Sequence, residues 1–160
     1  MTTTDERILI PAAWHLEFEH AAGRAASRFL TTLRDDQVLL ASPCPSCGRR
    51  RVPPRSFCED CFVPTSDEWV EVGPEGVIET FAVTYAAFPG YREPPHAIIY
   101  VRPDGADTAI CNWIEGVALD DVDAATAALE PGTRVRAVFA QDRQARITDF
   151  HWELIEGGQS

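Results

Sequence analysis

The sequence predicts a mainly β protein with an N-terminal α-helical segment, a small zinc ribbon and a five-stranded OB-type barrel. Two observations predict this fold class. Four of the five cysteines form two C-x-x-C pairs, CPSC at 44–47 and CEDC at 58–61. The chain after them reads as three strands, a helix and two strands, which is the order of an OB barrel. We therefore divide the chain into a helical segment (1–40), a zinc ribbon (41–68) and an OB-fold domain (69–156).

The composition limits the classes of protein to which the chain can belong. Its 160 residues are 45% hydrophobic and 24% charged, which is typical of a globular chain with a real core. The net charge of −11 argues against a protein whose main role is to bind phosphate backbones. No apolar run approaches the roughly 20 residues of a membrane helix. The N-terminus lacks a basic region followed by an apolar core. We expect a cytoplasmic protein with no membrane partner.

The N-terminal segment carries apolar residues at helical spacing. This periodicity predicts one apolar helix face, with Gly23 as a candidate break. Two interpretations remain open: a helix that docks on its own domain, or an arm that packs onto another chain. The residues of this face are Trp14, Phe18, Ala22, Ala25, Phe29 and Leu33.

The paired cysteines predict a metal site. In a reducing cytoplasm, thiolates at this spacing favour tetrahedral zinc over disulfides. Iron and a redox dithiol are the alternatives. None of the four histidines falls at ligand spacing from the cysteines, and an all-thiolate site leaves no position open for water or substrate. The predicted zinc is therefore structural, with Cys44, Cys47, Cys58 and Cys61 as its ligands.

Positive charge is concentrated in the same stretch. Residues 44–61 contain four arginines and only two acidic residues, Glu59 and Asp60, which gives a formal excess of positive charge. Four thiolates around one Zn²⁺ would offset this excess. One interpretation is that the arginines balance the thiolates and stay solvated. The other is that some of them bind an anion such as the phosphates of a nucleotide-like cofactor. The arginines are Arg49, Arg50, Arg51 and Arg55.

The strands of the predicted barrel follow from β-branched and aromatic runs between turn residues. In the last strand, alternation places Thr148, Phe150, Trp152 and Leu154 on the core face. Acidic residues open the predicted helix, and Pro131-Gly132 closes it. The predicted strands are 77–88, 97–101, 108–114, 133–140 and 146–154, with the helix at 121–129.

This layout resembles the DUF35 family, which joins a rubredoxin-like zinc ribbon to an OB-fold. The resemblance covers roughly residues 28–155, and its most specific part is the ribbon with its P-P-R motif. The final strand departs from it, because DFHWEL stands where many members end in phenylalanine-x-proline. The matching pieces are the helix at 28–40, CPSCG (44–48), PPR (53–55), CEDC (58–61), WVEVGPEGVIETFAVT (69–84) and EPGTRVRAVFA (130–140).

The resemblance implies an accessory role in acyl-CoA metabolism. Members of the family accompany thiolase-fold enzymes, and the chain is similar in size and layout to the small zinc subunits of thiolases. The large thiolase-fold partner would supply the catalytic cysteine and histidine. A coenzyme A thioester would be a shared ligand of the complex, and the four ribbon arginines are candidate contacts to it.

The residues themselves show no catalytic constellation of a known type. Cys111 lies on an alternating strand, where we expect an inert, buried thiol. The alternative function is single-stranded nucleic-acid binding, with Tyr100 and Trp113 as stacking platforms. Nucleic acid is the less favoured partner, because the basic residues of the barrel region form no run.

Overall fold

The computed structural model describes residues 8–13 and 16–155. It confirms a mainly β fold that follows one N-terminal helix. No helix within these ranges is long and apolar enough to cross a membrane. The elements are α1 (Gly23–Asp35), β1 (Leu39–Pro43), β2 (Arg50–Arg51), β3 (Phe57–Cys58), β4 (Val63–Pro64), β5 (Val70–Val72), β6 (Glu75–Thr84), β7 (His96–Pro103), β8 (Ile110–Glu115), α2 (Val122–Ala128), β9 (Arg134–Phe139), a 3₁₀ turn (Ile147–Asp149) and β10 (Phe150–Leu154).

Strands β6 to β10 form the predicted barrel. It closes in the order β10-β8-β7-β6-β9, and β9 pairs back onto β10. The β8–β10 pair is parallel and the other pairs are antiparallel. Helix α2 lies between β8 and β9, and its N-cap Asp121 accepts the backbone N–H groups of Asp123 and Ala124. The five-stranded OB-type barrel is thus confirmed.

The predicted start of the last strand is wrong by four residues. The chain makes a 3₁₀ turn before β10, so Thr148 is exposed, whereas Phe150 and Trp152 enter the core as expected. The cause is Asp149, whose buried carboxylate accepts the backbone N–H groups of Gln144 and Arg146. These hydrogen bonds favour a turn over the extended strand that was predicted for these residues.

The zinc-ribbon region is a small set of strands joined to the barrel. Strand β1 pairs with β2 on one side and with β5 on the other, while β3 and β4 form a separate hairpin. The side chains of Leu39 and Val72 belong to the same buried cluster as Trp152 of the barrel. The predicted border at residue 68 remains a division by sequence, since β5 pairs with a strand on the other side of it.

Hydrogen bonds tie the ribbon and the β5–β6 turn to the β7–β8 connection. The N–H of Gly73 donates to the carbonyl of Asp104 at 2.9 Å, and the N–H of Asp107 donates to the carbonyl of Arg50 at 2.9 Å. The hydroxyl of Thr108 accepts the N–H of Val52 and donates to its carbonyl. These bonds fix the position of the ribbon relative to the barrel.

The N-terminal helix is shorter than its periodicity predicts. It begins at Gly23, whose φ of +80° does not continue a helix backwards, and buries Phe29 and Leu33. Residues 16–22 have no regular structure, and Phe18 is exposed, while Trp14 lies outside the described residues. Short helices in water need packing partners. The described part of the chain offers none to this segment.

Candidate metal centre and the arginines around it

The four predicted cysteines converge on one point. Their Sγ atoms all lie within 4.8 Å of one another, and Cys47 Sγ is 3.9 Å from Cys58 Sγ. A tetrahedral zinc with Zn–S bonds of about 2.3 Å separates its sulfur ligands by about 3.8 Å. The cluster is therefore compact enough to hold one tetrahedral zinc ion. Cys44 and Cys58 are buried, Cys61 is half-buried and Cys47 is exposed.

The two C-x-x-C turns have the same backbone design. Gly48 N–H donates to the carbonyl of Cys44, and Phe62 N–H donates to that of Cys58, each at 2.9 Å. Both donors have positive φ, +75° for Gly48 and +55° for Phe62. The Ser46 N–H approaches Cys44 Sγ at 3.4 Å. These turns bring the two cysteines of each pair to the same side of the chain, where their Sγ atoms join the cluster. Phe62 adopts a backbone conformation that usually favours glycine.

Arg51 is part of the metal centre. Its side chain is 3% exposed, and its terminal nitrogens bind Glu59 at 2.8 Å, Asp60 at 2.6 Å and Cys58 Sγ at 3.3 Å. The hydrogen bond from Arg51 lowers the pKa of the Cys58 thiol to about 6, against the effect of burial and with help from the N–H groups of Cys61 and Asp60. The hydrogen bond from Arg51 therefore favours the thiolate form of Cys58, the form that binds zinc. A buried cation also offsets the negative charge of a four-thiolate zinc site.

We expect Arg51→Met to weaken zinc retention by about tenfold or more, because partners that support metal ligands typically contribute that much. The measurement is the rate of zinc transfer to a chromophoric chelator. Arg49→Met is the matched control, because the side chain of Arg49 is 56% exposed and pairs with the same Asp60. Equal transfer rates for the two variants would contradict the role of Arg51.

The structure does not bring the four ribbon arginines to one place. Arg49 pairs with Asp60 at 2.7 Å, and Arg50 donates to the carbonyl of Gly105 at 3.2 Å. Arg55 is 61% exposed, and its nearest carboxylate belongs to Glu59 at 3.8 Å. Arg51 is enclosed in the ribbon, so only the other three present their side chains to a ligand. Their role toward coenzyme A remains a proposal.

Sequence reasoning did not single out two arginines of α1. Arg24 and Arg28 stand one helical turn apart and, with Arg55, line a groove of ≈ 320 Å³ between the helix and the ribbon. Trp69 forms part of its wall. The i, i+4 spacing indicates that Arg24 and Arg28 share one face of the helix. It does not indicate that Arg55 of the ribbon lies beside that face.

The remaining candidates lie on the barrel. Cys111 is half-buried, so it is less enclosed than expected, and burial raises the pKa of its thiol, which disfavours the nucleophilic thiolate form. Tyr100 is 46% exposed. The centroid of the His96 ring lies 5.2 Å from the centroid of the Trp113 ring, and the guanidinium carbon of Arg92 lies 5.5 Å from that ring's centroid. Trp113 is thus partly covered and does not form a free stacking surface with Tyr100.

A structural zinc ribbon followed by a closed OB barrel defines the class of protein, and family comparisons define the family. Residues 31–67 match the rubredoxin-like zinc ribbon domain of ChsH2, and residues 69–140 match the C-terminal OB-fold domain of ChsH2. The chain therefore belongs to the ChsH2 type of DUF35 protein, in which the two domains follow one another. No curated protein sequence is similar enough to this chain to count as a relative.

Two solved structures share the fold. A DUF35-family protein of unknown function from Sulfolobus solfataricus has a TM-score of 0.60 and 20% identity, over 83% of this chain and 87% of that one. A chain of the Ltp2-ChsH2(DUF35) aldolase has a TM-score of 0.61 and 18% identity, over 85% of this chain and 98% of that one. At these identities the likeness establishes the fold alone.

Proposed function

We propose that this chain is the non-catalytic, zinc-binding OB-fold subunit of a thiolase-fold acyl-CoA enzyme complex of the thiolase, acyltransferase or aldolase type. The structurally similar DUF35 chain belongs to an Ltp2-ChsH2 aldolase, and membership of the same family supports an equivalent assembly. The large subunit would carry the chemistry at a carbon–carbon bond of a CoA thioester. The assembly would be cytoplasmic.

One observation carries the assembly role. The N-terminal arm (residues 8–13 and 16–22) presents large apolar side chains that are between 72% and 89% exposed. Burial of each such side chain is worth about 1.5–3 kcal/mol, and a cluster of exposed apolar residues marks a partner surface. Helix α1 differs from the arm, since its Phe29 and Leu33 are already buried in this chain. The exposed residues are Ile8, Leu9, Ile10, Leu16 and Phe18.

A contribution to CoA-thioester binding is the second part of the proposal. Arg49, Arg50 and Arg55 have exposed side chains, and guanidinium groups suit phosphate oxygens. Arg51 supports the metal centre, so a variant that removes it would confuse the loss of a ligand contact with damage to the ribbon. A CoA-binding test should therefore leave Arg51 in place.

Co-expression with a thiolase-fold protein encoded beside this chain is expected to give one co-eluting complex. Carbon–carbon bond formation or cleavage on a CoA thioester should require both proteins, because the sequence shows no catalytic constellation of a known type. Deletion of residues 1–21 should weaken the complex and leave zinc content unchanged, since α1 and the ribbon stay whole. The measurements are size-exclusion co-elution, zinc analysis and turnover.

Point variants separate the arm from general surface effects. Phe18→Asp removes an apolar side chain that is 78% exposed, and Phe88→Asp removes an identical side chain that is 57% exposed in the β6–β7 connection. Only the first is expected to weaken the complex. Turnover by the purified chain alone, or a large subunit that is fully active without it, would contradict the proposal.

A further inference from the structure

The groove between α1 and the ribbon has an unusual concentration of positive charge. Arg24, Arg28 and Arg55 all line it, and Asp67 is its only acidic lining residue. The chain as a whole is strongly acidic, with a net charge of −11. Three guanidinium groups around ≈ 320 Å³ make this a candidate anion site, distinct from the metal centre.

Contacts with the ribbon and with Trp69 order the side chain of Arg28 and the backbone of Arg55. The guanidinium carbon of Arg28 lies 4.2 Å from the ring centroid of Trp69, and its Nη1 donates to the backbone carbonyl of Asp67 at 2.9 Å. The N–H of Arg55 donates to the hydroxyl of the buried Ser42 at 2.9 Å, and its carbonyl accepts from the Thr65 hydroxyl. An ordered backbone and a stacked side chain reduce the entropy that a ligand would have to remove.

The charge of the groove is only partly neutralised. The Asp67 carboxylate pairs with Arg24 at 2.8 Å, whereas Arg28 binds the backbone oxygen of the same residue. Glu59 lies 3.8 Å from Arg55 and is bound more closely by Arg51, at 2.8 Å. The groove therefore retains a formal excess of positive charge and N–H donors that still face solvent.

We propose that this groove binds the diphosphate group of a nucleotide-type ligand. Guanidinium forks match phosphate oxygens, and an organic diphosphate carries about as much negative charge as the groove has in excess. The volume exceeds the space of a single phosphate, and Ala25, Pro64 and Trp69 give the groove apolar walls for an attached organic group. Coenzyme A and free nucleoside diphosphates share this chemistry. The site belongs to this chain and needs no partner subunit.

The test is isothermal titration calorimetry of the purified chain at low salt with pyrophosphate, ADP and coenzyme A. We expect ADP and coenzyme A to bind, and the double variant Arg28→Gln/Arg55→Gln to lose at least about tenfold in affinity. The matched control is Arg92→Gln/Arg102→Gln, which removes the same charge from two barrel arginines paired with Glu115 and Glu79. Tighter binding of coenzyme A than of ADP would identify it as the preferred source of the diphosphate.

Absence of binding by all three probes would overturn the proposal, as would equal losses in the two double variants. If Arg28→Gln/Arg55→Gln fails to fold, Arg55→Lys replaces it, because lysine keeps the charge and loses the fork; it should still weaken binding severalfold. This outcome is separate from the assembly role. A chain that forms the complex but binds no diphosphate removes the groove and the CoA contact proposed for Arg55, and leaves the assembly role in place; the reverse result removes only the assembly.

Discussion

Cys58→Ser is expected to abolish zinc binding and to lower the melting temperature by roughly 10 °C or more. Cys58 is the buried ligand that receives the hydrogen bond from Arg51, so serine removes one thiolate and leaves that cation without its sulfur partner. The free energy of binding a structural zinc, about 10–16 kcal/mol in small zinc domains, is also folding free energy. Elemental analysis of freshly purified protein and a thermal melt measure the two effects.

The fifth cysteine provides the control for this experiment. Cys111 lies on β8, half-buried and outside the cluster of four Sγ atoms. Cys111→Ser should keep about one zinc per chain and melt within a few degrees of the unmodified protein. Iron as the main metal, or a full complement of zinc in Cys58→Ser, would contradict the assignment of the metal centre.

Gly76→Ala is expected to destabilise the barrel by about 3 kcal/mol or more. A Cβ at this position would lie 2.6 Å from the Arg102 carbonyl oxygen and 2.9 Å from Pro103 Cα. Both are backbone atoms of β7, and Gly76 pairs with Pro103 on one side and Val135 of β9 on the other. Neither neighbour can withdraw without opening the closed sheet. Urea denaturation followed by circular dichroism gives the change in unfolding free energy.

Gly116→Ala is the matched variant for this prediction. Its φ is +74°, and a Cβ there would meet no atom within 4 Å. The same substitution should therefore cost only the backbone term, about 1 kcal/mol. Equal losses at the two positions would show that the close approach of β6 to β7 is not what demands glycine at Gly76.

The metal centre and the barrel could be predicted from sequence because each leaves a local pattern. Two residues between cysteines suffice to turn the chain around one metal ion. Strands of a small barrel alternate between core and solvent, as Val135 and Ala137 of β9 do. The order of strands and helix then fixes the topology with little ambiguity.

The burial of Arg51 could not be predicted from the run of three arginines. Its orientation depends on a two-residue strand in which Arg51 pairs with Ser42 and Arg50 pairs with Pro43. A shift of one residue in this register would have buried a different arginine. The sequence gives no local signal that fixes such a short pairing.

The predicted helix does not extend through residues 16–22, and the reason is different. Residues 16–22 continue the apolar periodicity of α1, but a periodic pattern yields a stable helix only where something covers its apolar face. The groove was missed because it joins Arg24 and Arg28 to Arg55, which is distant in sequence. Its prediction would have required knowing that α1 lies against the ribbon.

The hydrogen bonds between the ribbon and the β7–β8 connection have a thermodynamic consequence. Ribbon and barrel share one buried cluster and are joined by the hydrogen bonds of Val52 with the Thr108 hydroxyl and of Arg50 with Asp107, so we expect neither to unfold while the other keeps its full core. Because the metal binds the folded state only, its binding free energy adds to the unfolding free energy of ribbon and barrel together. Barrel amides far from the cysteines should exchange with deuterium faster once a chelator has removed the ion. The metal thereby acts as a stabiliser of the surface that the barrel offers to other molecules.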